Sequence, residues 1–259
     1  MPALKDSTVL ITGASSGIGR SCAVKFAEQG SRLILCARRK DRIDELGATL
    51  KERYRTDSLT FKLDVRDQKS VAAAVERLPE GWTAIDILVN NAGLSRGLEK
   101  LHEGNLQDWE EMIDTNVKGL LYVSRAVIPG MVARGRGTVI NIGSIAGHEV
   151  YPKGNVYCAT KHAVDALTKG MRLDLVDSPV RVCSVDPGLV ETEFSLVRFR
   201  GDGRRAQAVY ENFTPLTPDD VADVVVFCAT RPAHVTLADV LVLPTHQAST
   251  TLTYRGAQT

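Results

Sequence analysis

The chain has almost no surplus of charge. Its 32 Lys and Arg face 31 Asp and Glu, a formal balance of +1 over 259 residues. A protein built to hold a polyanion carries more excess cation, so nucleic acid is not expected as the main partner. Long apolar runs are also missing, and crossing a bilayer as a helix takes roughly 20 such residues. The opening Met1, Pro2, Ala3, Leu4, Lys5 and Asp6 lack the basic-then-apolar order of a secretory leader. A cytoplasmic location without a membrane partner is the corresponding expectation. Cysteine is sparse: Cys22, Cys36, Cys158, Cys183 and Cys228 are odd in number, widely spaced and form no CxxC pair. That excludes a disulfide scaffold and a structural zinc site. Four of the five cysteines lie in apolar stretches and read as buried small hydrophobes. His102, His148, His162, His234 and His246 show no ligand spacing, so no metal is expected and each reads as an ordinary core or surface residue. Fixed-period repeats, low-complexity tracts and linkers are absent, so residues 1–259 are expected to form one domain.

What is present is alternation. Short β-branched or wholly apolar runs at 8–12, 32–37, 59–63, 85–89, 138–142, 180–185 and 237–243 read as strands. Between them, 18–29, 40–55, 68–78 and 156–176 carry helical periodicity. Residues 106–133 read as two helical pieces or as one helix bent by Pro129. Thr217, Pro218 and Asp220 mark the start of a further helix, with Thr217 as its cap. Repeated βα alternation with strands apolar on both faces predicts an α/β fold: a doubly wound, Rossmann-like parallel sheet of about seven strands, with helices on both faces. Two segments lack strand character, 93–107 and 188–214. Both follow strands, and open α/β sheets bind ligands beyond the carboxyl ends of their strands.

The first strand runs into Thr12, Gly13, Ala14, Ser15, Ser16, Gly17, Ile18 and Gly19, a GxxxGxG turn between a strand and a helix. Gly13 suits a tight turn, Gly17 close backbone approach, and Gly19 close packing of helix on sheet. The free N–H groups of the helix then face a pyrophosphate. No Gly-Lys-Ser/Thr follows, which excludes a Walker phosphate loop. A dinucleotide site selective for NAD usually has an acidic residue at the end of the second strand, where this chain has Ala37, Arg38 and Arg39. Arg38 is placed to fork onto a 2′-phosphate, and Arg39 either helps or stacks beside the adenine, so NADP is the expected cofactor. Asp64 and Val65 follow the third strand and can meet the adenine. Asn90, Asn91, Ala92 and Gly93 follow the fourth, where an amide either binds ribose or ties neighbouring strands.

Tyr157 and Lys161 stand one helical turn apart on a shared face. A nearby ammonium favours the phenolate of a tyrosine, whose reference pKa is about 10. Ser144 follows a strand and can hold a substrate oxygen beside the tyrosine hydroxyl. Asn116 can anchor a water near Lys161. Together they describe a proton-coupled hydride transfer in which Tyr157 is acid or base and Ser144 steadies the developing alkoxide.

TGASSGIG at 12–19, NNAG at 90–93, Asn116, Ser144, YCATK at 157–161 and PG at 187–188 together resemble the classical short-chain dehydrogenase/reductase family over nearly the whole chain. The resemblance implies strand order 3-2-1-4-5-6-7. It also implies that Pro187 and Gly188 begin a backbone run over the nicotinamide, with Val190 and Thr192 near its carboxamide. IDILVNNAGL at 85–94, Asp114 to Asn116, GLVETEFS at 188–195, VRFRG at 197–201 and PTHQAS at 244–249 resemble the NADP-dependent 3-hydroxy acid, or serine/allo-threonine, dehydrogenases. That group implies short β-hydroxy acids or their 3-oxo forms as substrates, and a homotetramer.

An acid substrate needs a cation in its pocket. Arg198 and Arg200, within a substrate lid expected at about 188–214, and Arg96, after NNAG, are the candidates. Residues outside the motifs leave alternatives open, chiefly a broad NADPH-dependent carbonyl reductase of small ketones, diketones or 3-oxoacyl substrates, and behind it a steroid or sugar alcohol dehydrogenase.

Overall fold

In the computed structural model, described over residues 4–256, one parallel sheet carries the architecture. In chain order the elements are β1 (Thr8–Thr12), α1 (Gly17–Glu28), β2 (Arg32–Ala37), α2 (Lys40–Tyr54), β3 (Ser58–Lys62), α3 (Gln68–Glu76) and β4 (Ile87–Asn90). There follow α4 (Leu106–Ile113), α5 (Leu120–Arg134), β5 (Gly137–Ile142), α6 (Asn155–Asp174), β6 (Val180–Pro187), α7 (Glu193–Arg198), α8 (Gly203–Ala208), α9 (Pro218–Ala229) and β7 (Asp239–Val242). The seven strands lie in the order β3-β2-β1-β4-β5-β6-β7, as the resemblance implies.

The sheet sorts its side chains by alternation. Val9, Ile11, Leu33, Leu35, Val89, Ile140 and Val185 point to one face, where Phe26 of α1, Leu50 of α2 and Val225 of α9 cover them. Leu10, Ile34, Leu88, Val139 and Val182 point to the other, under Val71 of α3 and Val127 and Met131 of α5. Successive residues of a strand face opposite ways, so a sheet covered on both sides needs apolar residues at every position. All five cysteines are buried, and Cys22 and Cys36 are packed as small apolar groups whose thiols burial pushes up to about 12.

Of the two readings of 106–133, the structure has two pieces, but the interruption is not at Pro129, which α5 runs through. It is a π-helical turn at Asp114–Gly119. Such turns widen a helix locally and re-aim a side chain, and here the re-aimed residue is Asn116. The segment 188–214 contains two short helices, α7 and α8. Its base is closed by a parallel bridge between Val190 and Leu216, with Glu191 N–H donating to Leu216 O at 2.9 Å and Leu216 N–H to Leu189 O at 2.9 Å. Strand limits differ from expectation by one or two residues at most ends, the usual blur of fraying.

Chain direction positions the site. β2 and β4 flank β1 on opposite sides, so the connections leaving β1 and β4 diverge and open a crevice at their carboxyl ends. Directly after Leu216, Thr217 forms a full capping box with Asp220 at the start of α9, whose Val221, Ala222 and Val225 are buried. Thr217→Ala is expected to lower the unfolding free energy by about 1 kcal/mol. Urea denaturation should show this as a lower midpoint at unchanged slope.

Candidate active site

Gly13 turns the chain with φ +66, and a Cβ there would stand 2.9 Å from Ala92 Cα, so only glycine lets β1 turn this close to the strand beside it. The turn is bolted to β4. The Thr12 hydroxyl accepts from the N–H groups of Asn91 and Ala92 at 3.0 Å each. The Asn91 amide donates to Thr12 O at 2.9 Å and Gly13 O at 3.2 Å. Of the two readings of that amide, the structure uses it as a tie. Helix α1 begins at Gly17 without a side-chain cap or an acidic residue in its first turn, which leaves its first N–H groups and dipole facing the crevice.

The crevice is a cleft of about 350 Å³. Gly13, Ser15, Ser16, Gly17 and Ile18 form its floor, and Arg38 and Arg39 stand at one end beside Asp64 and Val65. Asn91, Ser144, Tyr157 and Lys161 occupy the middle, and Pro187, Gly188, Val190 and Thr192 the opposite wall. Gly19 packs behind the floor, against Gly13 O. A glycine-rich floor, an uncapped helix end and two arginines with no acidic residue at 37 or 38 fit a dinucleotide that carries a 2′-phosphate. Arg38 is half exposed, with Glu111 3.7 Å away. Asp64 is gripped by Arg66 at 2.6 Å, which holds its carboxyl below the usual range.

The reacting groups are buried. Tyr157 is 8% and Lys161 7% exposed, both on α6. Burial pushes the Tyr157 phenol up, opposed by the Arg198 charge and a hydrogen bond from Ser144. Arg198 is thus a second cation beside the phenol, one that the helix spacing does not reveal. The Lys161 ammonium donates to Ile142 O at 2.8 Å and lies 6.0 Å from the tyrosine ring centre. Ser144 caps a short turn, its Oγ accepting from Ala146 N–H at 3.1 Å. Asn116 does not line the cleft. Its amide donates to Leu94 O at 2.8 Å and Thr160 Oγ at 3.0 Å, and its Oδ1 accepts from Leu94 N–H at 2.8 Å. It acts as a strut between the loop after β4 and α6.

The three arginines proposed for a carboxylate part company. Arg96 pairs with Glu111 at 2.7 Å and donates to Val197 O at 2.7 Å. Arg200 pairs with Asp108, its side chain mostly in solvent. Arg198 has no carboxylate partner among the described residues. It donates to Ser95 Oγ at 3.0 Å and to the Tyr151 hydroxyl at 2.8 Å. Its guanidinium carbon lies 5.3 Å from the ring centre of Tyr157 and 5.1 Å from that of Phe194.

Other groups in and behind the cleft lie outside the expected site residues. Leu94, Phe194 and Val197 give the cleft an apolar wall, and Glu193 lines it too. Behind it, Asp186 is 3% exposed. It accepts from Ser184 Oγ at 2.5 Å and pairs with His148 Nε2 at 2.9 Å. The apolar spacing of Phe194 and Val197 on a short helix is a sequence signal that could have found this wall.

Residues 7–200 match the family model for short chain dehydrogenases. The NADP-dependent 3-hydroxy acid dehydrogenase of Schizosaccharomyces pombe is 46% identical over 256 residues, covering 98% of this chain and 99% of that protein. The NADP-dependent 3-hydroxy acid dehydrogenase YdfG of Escherichia coli strain K12 is 45% identical over 241 residues, covering 93% and 96%. The closed form of a serine dehydrogenase complexed with NADP+ superposes with a TM-score of 0.89 at 44% identity, covering 97% of this chain and 98% of that one. Serine dehydrogenase from Escherichia coli gives a TM-score of 0.81 at 41% identity, covering 93% and 99%. With its glycine turn, its buried Tyr157–Lys161 pair and a match across most of its length, the chain belongs to the short-chain dehydrogenase/reductase family.

Proposed function

We propose that this protein is an oxidoreductase that moves a hydride between NADP(H) and a short-chain 3-hydroxy acid or its 3-oxo acid, with Tyr157 as the acid/base. The observation that carries the acid substrate is Arg198, a guanidinium without a carboxylate partner beside the Tyr157 ring. A cation so placed holds a substrate carboxylate while the adjacent carbinol faces the phenol. The NADP-dependent relatives support the cofactor, and Arg38 and Arg39 are the groups to hold its 2′-phosphate.

When bound, the nicotinamide accepts or supplies the hydride. Tyr157 takes the alcohol proton on its phenolic oxygen in oxidation and returns it in reduction. Ser144 Oγ donates to the oxygen on which charge develops. Lys161 keeps a positive charge against the phenolate once that forms, and Asn116 holds the loop after β4 at the correct distance. Phe194 and Val197 exclude water from the reacting face. The segment 188–214 is the lid in this reading. A homotetramer is the proposed assembly, supported by exposed Leu173 and Val176 at the end of α6 and Leu241 on edge strand β7. The apolar wall favours a second reading, a broad carbonyl reductase.

Initial rates with 3-hydroxybutyrate, L-serine and matched neutral alcohols separate the two. Arg198→Met is expected to raise KM for the acids roughly 30- to 150-fold, the worth of about 2–3 kcal/mol for a charged hydrogen bond, and to leave neutral alcohols nearly unchanged. Equal turnover of neutral alcohols by the native enzyme would establish the reductase instead. Tyr157→Phe is expected to lower kcat by about 10²–10⁴ with either substrate class. Burial also lowers the Lys161 ammonium from 10.5 to about 8, opposed by the Asp186 charge. Between those values the unfolded chain binds the extra proton, so this group makes the cofactor-free protein more stable as pH rises from about 8 towards 10.5. Lys161→Met is expected to abolish that increment. The check is the difference between native and variant urea midpoints across the alkaline range.

A further inference from the structure

The two arginines at the adenosine end of the cleft are not equivalent. Arg38 is half exposed, and its only ion-pair partner among the described residues is Glu111, at 3.7 Å. Arg39 is fully engaged. Its Nη2 donates to Ser16 Oγ at 2.7 Å and to Ser15 Oγ at 3.2 Å, and its Nη1 donates to Glu193 Oε2 at 2.8 Å. Glu193 in turn accepts from Arg42 at 2.6 Å through its other oxygen. The carboxylate is thus shared between two arginines at the mouth of the glycine turn.

We infer that Glu193 is an internal stand-in for the adenosine 2′-phosphate, occupying Arg39 until that phosphate displaces it and thereby setting how strongly the site prefers NADP over NAD. This rests on the NADP reading above. A carboxylate presents two oxygens to a guanidinium much as a phosphate does, and both bind it as a fork. The arginines keep the Glu193 carboxyl below the usual range, so the stand-in remains an anion at neutral pH. Its ion pairs are displaceable. The side chains of Arg39, Arg42 and Glu193 are 40%, 44% and 39% exposed, where solvent screens such pairs to little net worth. A phosphate brings nearly two charges and three acceptor oxygens against the single charge of Glu193.

The position of Glu193 gives the exchange a second effect. Glu193 is the first residue of α7 and Arg198 the last. One rigid turn and a half therefore joins the group that contests the phosphate to the guanidinium beside Tyr157. Release of Glu193 from Arg39 loosens the near end of the helix that carries Phe194, Val197 and Arg198. An NAD molecule, lacking the phosphate, leaves the latch shut.

The test compares adenosine 2′,5′-bisphosphate with adenosine 5′-monophosphate, ligands that differ only in the 2′-phosphate, by calorimetric titration of the whole protein. Glu193→Gln keeps the shape and removes the charge. It is expected to tighten the bisphosphate three- to tenfold and leave the monophosphate unchanged. The same substitution in an Arg39→Met background is expected to have no effect on either ligand, because the contested cation is gone. Glu193→Gln that weakens the bisphosphate, or shifts both ligands equally, would make Glu193 a strut that positions Arg39 and overturn the inference. An unchanged ratio would overturn it as well. Native protein that binds the bisphosphate no tighter than the monophosphate would overturn the NADP reading itself, and the inference with it. Urea midpoints of each variant show whether a loss reflects unfolding.

Discussion

The Thr12 hydroxyl joins the two halves of the sheet at the point where the site opens. It lies at the carboxyl end of β1 and accepts two backbone N–H groups from the chain leaving β4. Those N–H groups have no strand neighbour there, because the connections from β1 and β4 diverge. Without that acceptor the Ala92 N–H would be left unsatisfied in a part-buried crevice, at a cost of the order of 1–3 kcal/mol, and the Asn91 N–H would keep only Val89 O. By filling that need, Thr12 and Asn91 hold the crevice open at a fixed width. The glycine floor, the uncapped end of α1 and the loop that leads to Asn116 take their positions from it.

A second constraint is dryness. Tyr157 and Lys161 are nearly sealed from water, so each resists its charged form: the phenol is pushed up and the ammonium down. Burial thus weakens the charged form of both groups, and their ionisation depends on the charges near them. Arg198 and Asp186 are the two already in place, one on each side. Asp186 is itself resisted by burial and steadied by Ser184 and His148. Ser144, Tyr157 and Lys161 thus sit within a small set of charges, each of which alters the others.

The fold was legible because its signals are local. β1, β2 and β5 announce themselves as apolar runs, and a turn such as 12–19 can be recognised from glycine spacing and its place between strand and helix. Thr217 was readable as a cap for the same reason. The order of the strands came with the family resemblance and not with any periodicity. The floor and centre of the site were visible residue by residue, from Gly13 to Tyr157. Its electrostatics were not. Lys161 was readable as a cation for Tyr157 because the two share a helix face, but Arg198, which reaches the ring from a segment far along the chain, was not. Arg96, Arg198 and Arg200 are alike in sequence. Only their carboxylate neighbours, Glu111 and Asp108, or the lack of one, tell them apart, and such neighbours are fixed by tertiary packing. The π-helical turn at Asn116 had no readable marker, since widening a helix needs no particular residue and proline drew attention to the wrong place.

The bridge between Val190 and Leu216 has a consequence for how such a protein changes over time. It closes the base of the segment that holds α7 and α8, so that both ends of a long excursion meet at one pair of residues. Whatever lies between can be lengthened, shortened or rewritten while β6 and α9 keep their places, because the ends stay joined. Tyr157 and Lys161 stand on α6, outside the closed segment, whereas Phe194, Val197 and Arg198 lie within it. The two can diverge at separate rates, and a new substrate can be adopted by rewriting one loop without disturbing the scaffold that performs the reaction.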